Sequence, residues 1–106
     1  MDESALKTVT LIGAGYVGAL TAITMAVKNP TVKFVVCDIN ETLVAKWNKG
    51  ELPFYEPQLH EYYMKAMHEV GNIEFTSNTS QAMIDGDVLI IAVNTPPSQN
   101  IEQPVQ

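Results

Sequence analysis

The chain contains no arginine. Its 106 residues carry 6 basic side chains, all of them lysine, against 12 carboxylates, for a formal net charge of −6. Proteins that bind nucleic acids or anionic membranes need clustered basic side chains, so this composition disfavours both partners. It also lacks the planar guanidinium that grips a phosphate at two points. Any phosphate bound here must therefore be held by backbone amides or by lysine.

Cysteine and histidine are almost as scarce. Cys37 is the single cysteine, which excludes an intrachain disulfide. His60 and His68 stand eight positions apart in a helical pattern, without a carboxylate or thiol at ligand spacing, so we expect solvated side chains and no metal. Cys37 lies inside an apolar run and is predicted to be a small buried residue rather than a nucleophile.

Charge is also missing from the 20 positions between Thr8 and Val27, a length near that of a membrane span. This stretch contains three glycines and four threonines, and it follows Asp2 and Glu3 rather than a basic cluster. A buried strand followed by a buried helix therefore explains it better than a membrane anchor or a signal peptide. With no leader, the expected location is cytoplasmic.

Apolar runs alternate with helical patterns along the chain. Strands are predicted at residues 8–12, 32–37, 73–76 and 88–93, and helices at residues 16–28, 41–48, 57–70 and about 79–84. Helix ends are indicated by Asn40 as an N-cap, Pro57 in a first turn after Glu56, and Gly71 as a stop. The alternation predicts an α/β fold, a Rossmann-type doubly wound parallel sheet with about four strands.

The domain organisation follows from these elements. Residues 1–97 are predicted to form one incomplete Rossmann-type domain, and residues 98–106 a polar loop or disordered tail. The run 88–93 shows no alternation of polar and apolar residues, which favours a strand covered on both faces. A sheet that ends at this strand would leave an apolar edge, so we also expect self-association.

The sequence GAGYVG places Gly13, Gly15 and Gly18 in the G-x-G-x-x-G spacing. Such a match is weak evidence alone, but here the motif follows a predicted strand and opens a predicted helix. Asp38, 20 positions after Gly18, lies at the end of the next predicted strand, where the dinucleotide-binding pattern has an acidic residue. Gly13 permits the turn, Gly15 lets a pyrophosphate approach the backbone, and Gly18 lets the helix pack on the strand. The helix N-terminus supplies amides and a favourable dipole. A glycine-rich turn without a ligand is the alternative.

Asp38 indicates which dinucleotide is bound. A carboxylate at this position accepts hydrogen bonds from the adenosine ribose and repels the 2′-phosphate of NADP, for which the chain has no arginine. NAD is therefore the predicted cofactor, with FAD as the alternative. A simple helix N-cap is the structural alternative for Asp38.

Further cofactor contacts are predicted where the last strand ends. The loop Val93-Asn94-Thr95-Pro96 follows its carboxyl end, which is the ligand side of such sheets. An ordinary exit from the strand would also explain it. The predicted cofactor-binding set is Gly13, Ala14, Gly15, Tyr16, Val17, Gly18, Asp38, Val93, Asn94 and Thr95.

The motifs GAGYVG, VVCDINE, AKWN, LPFYEP and VNTP, in this order, resemble the N-terminal part of nucleotide-sugar dehydrogenases, in particular the UDP-glucose 6-dehydrogenases. The resemblance covers roughly residues 8–97. It implies an NAD-dependent oxidation of the C6 alcohol of UDP-glucose to UDP-glucuronate by two hydride transfers. It also implies that GAGYVG contacts the pyrophosphate, Asp38 the ribose and VNTP the cofactor.

The same resemblance implies that the catalytic cysteine, in a GGxCF-type motif, and the domain that binds most of the UDP-glucose lie downstream. We therefore expect a fragment of a longer, homo-oligomeric enzyme, with no catalytic residue in these 106 positions and no turnover alone. Two alternatives stay open. One is a stand-alone, non-catalytic dinucleotide-binding module, which would fit departures from the family pattern at Leu43, Gln58 and Pro97-Ser98. The other is an enzyme acting on GDP-mannose or UDP-N-acetylmannosamine.

Overall fold

A computed structural model describes residues 7–52 and 56–92. The elements in chain order are β1 (Thr8–Ile12), α1 (Tyr16–Lys28), β2 (Lys33–Cys37), α2 (Glu41–Lys49), α3 (Pro57–Met64), β3 (Ile73–Thr76), α4 (Thr79–Asp85) and β4 (Val88–Ile91). All four strands are parallel, in the order β3-β2-β1-β4. The predicted α/β fold with a parallel sheet is confirmed, since every predicted strand and helix is present.

Successive residues of β1 and β2 point to opposite faces of the sheet, and both faces are covered at these two strands. Val9 and Leu11 face a large apolar cluster that includes the small residues of α1 and the aromatic rings of α2, α3 and β3. Thr10 faces the other way, and its hydroxyl donates to the Ala82 carbonyl of α4 at 2.8 Å. Helices therefore cover both faces of the central strand, as a doubly wound sheet requires.

The capping residues read from the sequence act as predicted. The Asn40 side chain accepts from the Leu43 amide at 3.0 Å, and the Glu56 carboxylate accepts from the Leu59 amide at 2.6 Å. Gly71, with a φ of 71°, ends the helical stretch that starts at Pro57. The second half of that stretch, Lys65–Val70, is π-helical, which the sequence pattern did not indicate.

The expectation that the last strand is covered on both faces is wrong for this part of the chain. β4 lies at the sheet edge, and Val88, Leu89 and Ile91 are 41%, 44% and 72% exposed. The physical reason is the topology: within residues 7–52 and 56–92, α1 and α4 pack mainly over β1 and β2, and Ile90 is the one residue of β4 that packs against the main core. An unbroken apolar run reports a tendency to be buried, but it does not identify what buries it.

The two histidines lie on exposed positions of the helical stretch after Pro57. In the part of the chain that the structure describes, no three potential metal-ligating side chains form a cluster. None of the helices seen there combines the length and the apolar content needed to cross a bilayer.

Candidate functional site

The glycine motif forms a turn between β1 and α1 at the carboxyl edge of the sheet. Gly13 has a φ of 119°, which L side chains rarely adopt, and its amide donates to the Cys37 carbonyl of β2 at 2.8 Å. Gly15 is the N-cap of α1, where no side chain caps the helix, and the first helical bond runs from the Ala19 amide to the Gly15 carbonyl at 2.9 Å. An uncapped helix N-terminus offers backbone N–H groups to an anion.

Gly18 lies where α1 crosses closest to the sheet. A Cβ atom at this position would lie 2.3 Å from the Gly13 carbonyl oxygen and 3.1 Å from the Cβ of Ala92. Only glycine fits such an approach of helix to strand. This is the packing that the third glycine of the motif predicts.

Asp38 follows β2 and reaches across to the glycine turn. One carboxylate oxygen, Oδ2, accepts from the Ala14 amide at 2.8 Å, and the other, Oδ1, accepts from the Asn40 amide at 2.9 Å. Asn40, not Asp38, caps α2, so the simple capping role for Asp38 is wrong. Each carboxylate oxygen has a second lone pair, and the side chain is only partly buried. Asp38 can therefore hold the turn and still accept hydrogen bonds from a ligand.

An apolar cleft of about 270 Å³ opens beside this carboxylate. Ile39 and Met83 line it and are 84% and 43% exposed, and Ile12, Gly13 and Thr79 complete it. A flat, apolar base joined to a ribose suits such a cleft, because the carboxylate at its rim accepts from hydroxyls. No motif in the sequence predicts the cleft. Its one signal was Ile39, an apolar residue between Asp38 and Asn40 just after a strand.

Trp47 packs in the main apolar cluster, and the structure also connects it to the glycine turn. Its indole N–H donates to the Ala14 carbonyl at 2.9 Å, and its side chain is completely buried. Its ring stacks on Phe75 with centroids 5.2 Å apart and planes 4° apart. The Tyr63 hydroxyl donates to the Trp47 carbonyl, and burial raises the pKa of Tyr63, which favours the protonated donor. No pattern in the sequence links Trp47 to Ala14, 33 positions away.

Cys37 is fully buried on the α4 side of the sheet, which confirms the expected small buried residue. Burial raises the pKa of its thiol, and the negative charge of the adjacent Asp38 raises that pKa further. Both effects favour the neutral thiol, which is a poor nucleophile.

Seven of the ten predicted site residues are therefore brought together: the six positions from Gly13 to Gly18 and Asp38. Val93, Asn94 and Thr95, like Pro96, lie outside the described residues, as do residues 53–55 of LPFYEP. The last described residue, Ala92, donates its amide to the Ile12 carbonyl at 2.8 Å. The site thus combines an uncapped helix N-terminus, a carboxylate with acceptor capacity left over and an apolar cleft.

Comparison with known proteins agrees with this geometry. Residues 7–105 match the NAD binding domain of the UDP-glucose/GDP-mannose dehydrogenase family. The UDP-glucose 6-dehydrogenase of Caenorhabditis elegans is 40% identical over 91 residues, which are 86% of this chain and 18% of that protein. The corresponding enzyme of Bos taurus is 38% identical over 91 residues, with the same shares covered. The chain thus spans about a fifth of the length of these relatives.

Solved structures give the same result. A UDP-glucose dehydrogenase from Pyrobaculum islandicum superposes with a TM-score of 0.78 at 30% identity, over 91% of this chain and 22% of that one. A GDP-mannose dehydrogenase from Pseudomonas aeruginosa superposes with a TM-score of 0.75 at 28% identity, over 87% and 20% of the two chains. These neighbours confirm the Rossmann-type fold.

Proposed function

The chain belongs to the UDP-glucose/GDP-mannose dehydrogenase family, whose NAD-binding domain it carries, and from this premise we propose which of its residues hold the cofactor. The observation that carries the proposal is the hydrogen bond of 2.8 Å between Asp38 and the Ala14 amide. It joins the ribose-binding carboxylate and the phosphate-binding turn into one site, although the two lie 24 positions apart in the chain.

The pyrophosphate would be held by backbone amides that follow Ala14 in the turn, beginning with Gly15, and by the dipole of α1, because the amides of Gly13 and Ala14 already donate within the protein. This arrangement needs no arginine. The ribose hydroxyls of the adenosine would donate to Asp38, and the adenine would lie in the cleft between Ile39 and Met83. When bound, NAD supplies the hydride acceptor. Val93, Asn94 and Thr95 stay predicted cofactor contacts.

Selectivity for NAD over NADP would follow from charge. A 2′-phosphate would meet the Asp38 carboxylate, and the chain has no arginine to pair with it. We therefore propose that NADP binds much more weakly than NAD.

For the whole protein we propose the reaction of a UDP-glucose 6-dehydrogenase. The C6 alcohol of UDP-glucose would lose two hydrides to two NAD molecules, and water would supply the second oxygen of the UDP-glucuronate carboxylate. The names of the most similar relatives support this member of the family, at 37–40% identity. Enzymes acting on GDP-mannose or UDP-N-acetylmannosamine, which share the fold at 28% and 31% identity, are the alternative.

The resemblance to the family implies a cysteine nucleophile, and Cys37, the sole cysteine here, is fully buried with a raised thiol pKa. We therefore propose that the nucleophile, like most of the sugar-binding residues that the resemblance implies, lies outside these 106 positions. Mixing the chain with UDP-glucose and NAD should then yield no NADH. Production of NADH by the purified chain would overturn this assignment. A non-catalytic nucleotide-binding module would behave in the same way here, and a downstream GGxCF-type motif in the same reading frame would decide between the two.

Calorimetric titration tests the proposed cofactor site. We expect the chain to bind NAD, to bind NADP at least about tenfold more weakly, and to lose most of this preference in Asp38→Asn. The matched control is Asp87→Asn. That carboxylate accepts from the Thr8 amide at 2.9 Å, at the opposite ends of the strands, so the same change of charge should leave the preference intact. Equal affinity of the unaltered chain for both dinucleotides would overturn the role of Asp38.

A further inference from the structure

The peptide that joins Ala14 to Gly15 lies at the centre of the proposed phosphate-binding turn. Both polar backbone groups of Ala14 are already engaged within the protein. Its amide donates to Asp38 at 2.8 Å, and its carbonyl accepts from the indole of Trp47 at 2.9 Å. Ala14 itself is completely buried. The groups left to meet a ligand therefore belong to the residues that follow it.

The hydrogen bond from the Trp47 indole to the Ala14 carbonyl also fixes the direction of the Gly15 amide. In a trans peptide the carbonyl and the following N–H point in opposite directions, and the described peptide bonds are all trans. With the Ala14 carbonyl directed at the buried indole, the Gly15 N–H is directed away from the core. Among the described residues it has no hydrogen-bond acceptor.

Contacts with other elements fix the position of the indole ring. It stacks on Phe75 of β3, and the Tyr63 hydroxyl donates to the Trp47 carbonyl. Two helices and a strand therefore position this ring before any ligand is present. A donor fixed in this way costs little reorganisation when a ligand binds.

On these contacts we propose that Trp47 is a positioning residue for the cofactor. Its indole N–H orients the Ala14–Gly15 peptide so that the Gly15 amide faces the pyrophosphate. Trp47 does not touch the ligand, and its effect is confined to the phosphate-binding part of the site. This inference rests on the proposed function, because it assumes that the turn binds a dinucleotide.

The test compares two conservative variants in the same aromatic cluster. Trp47→Phe removes the indole N–H and keeps an aromatic ring on Phe75, whereas Tyr63→Phe removes the neighbouring hydroxyl and leaves the bond to Ala14 intact. Affinities for NAD, ADP and adenosine are measured for each variant together with its melting temperature. For Trp47→Phe we expect about a tenfold loss of affinity for NAD and ADP and little change for adenosine. For Tyr63→Phe we expect all three affinities to stay close to those of the unaltered chain.

A purely structural role for Trp47 predicts a different pattern, with all three affinities falling together as the melting temperature falls. That pattern, or equal losses in the two variants, would overturn the proposal. If the unaltered chain binds ADP and NAD but Trp47→Phe binds them equally well, only the positioning role fails. If the unaltered chain binds neither, the proposed function fails and this inference fails with it.

A second measurement needs no substitution. Trp47 is the only tryptophan, so its indole N–H gives one identifiable signal in a proton–nitrogen correlation spectrum. NAD and ADP should shift this signal, because they bind next to the peptide whose carbonyl it contacts, and adenosine should not. An indole signal that does not move under saturating NAD would count against the proposal even if Trp47→Phe failed to fold.

Discussion

A Cβ atom on Gly18 would lie 2.3 Å from the carbonyl oxygen of Gly13, so these two glycines fix how closely α1 approaches β1. The contact is with backbone, which cannot rotate aside, and the substitution Gly18→Ala must push the helix away from the sheet. We expect a loss of about 1–3 kcal/mol in the free energy of unfolding. NAD affinity should also fall, because the helix N-terminus moves with the helix. Denaturant melts and NAD titration measure the two effects.

Gly71→Ala is the control for this substitution. Gly71 has a φ of 71° but no atom within 4 Å of its Cβ position, so alanine there is strained only by its backbone conformation. A loss of about 1 kcal/mol with unchanged NAD affinity is expected, since Gly71 lies far from the turn. Equal losses of NAD affinity in the two variants would contradict the steric argument.

Asn72 connects three segments through one amide nitrogen. Its Nδ2 donates to the carbonyls of Ala26 at 2.9 Å, Asn29 at 3.2 Å and Val32 at 2.9 Å, and its buried Oδ1 has no hydrogen-bond partner among the described residues. Asn72→Asp would set a carboxylate against three carbonyl oxygens. We expect a loss of about 2–4 kcal/mol at neutral pH, measured by chemical denaturation.

That loss should depend on pH in a defined direction. The surrounding carbonyls would raise the pKa of the new carboxyl in the folded state above its unfolded value of about 4. The deficit relative to the unaltered chain should therefore be smallest below about pH 4 and should grow as the pH rises through the folded pKa. Asn29→Asp is the matched control, because the Asn29 side chain is exposed and donates to one carbonyl, that of Met25. A deficit in Asn72→Asp that does not vary with pH would contradict this explanation.

Cys37 should react slowly with thiol reagents in the folded chain. Burial, and then the charge of Asp38, raise the pKa of its thiol above the ordinary value of 9.0. The labelling rate should therefore keep rising above that pH and should become fast when denaturant exposes the thiol. Asp38→Asn removes the second cause and should move the rate profile to lower pH, whereas Asp87→Asn should not. Identical profiles for the two variants would show that the charge of Asp38 has no influence on Cys37.

The exposed apolar edge at β4 should promote self-association of the chain. Ile91 is 72% exposed on an edge strand, and Ile84 is 75% exposed on α4. We expect the chain to self-associate at high concentration in sedimentation velocity runs, and Ile91→Lys to reduce this more than Ile84→Lys. If the two lysine variants behaved alike, total exposed apolar surface rather than strand pairing would be the cause.

Much of this fold could be predicted from the sequence because its signals are local. Buried parallel strands have β-branched and apolar runs, as at residues 8–12, and the helix ends carry recognisable residues, such as Asn40 before α2 and Pro57 in the first turn of α3. The glycine spacing and Asp38 were recognisable for the same reason, since each is defined by its position along the chain. The structure brings the two together because both follow parallel strands, whose carboxyl ends lie at one edge of the sheet.

What could not be predicted depends on contacts between distant residues. The bond from Trp47 to Ala14 exists because α2 packs under the turn, and no spacing rule specifies that. The three carbonyls around Asn72 come from α1 and the loop after it, which meet only in the folded chain. The exposure of β4 likewise follows from its place at the sheet edge rather than from its composition.

The place of β1 between β2 and β4 has a consequence for amide hydrogen exchange. Leu11 is paired with Val36 on one side and Ile90 on the other, so its amide is shielded until a neighbouring strand detaches. Edge strands fray at much lower free energy than a central strand opens. We therefore expect β1 to exchange most slowly of the four described strands, and the turn that begins at Gly13 stays attached to β1 when an edge strand frays.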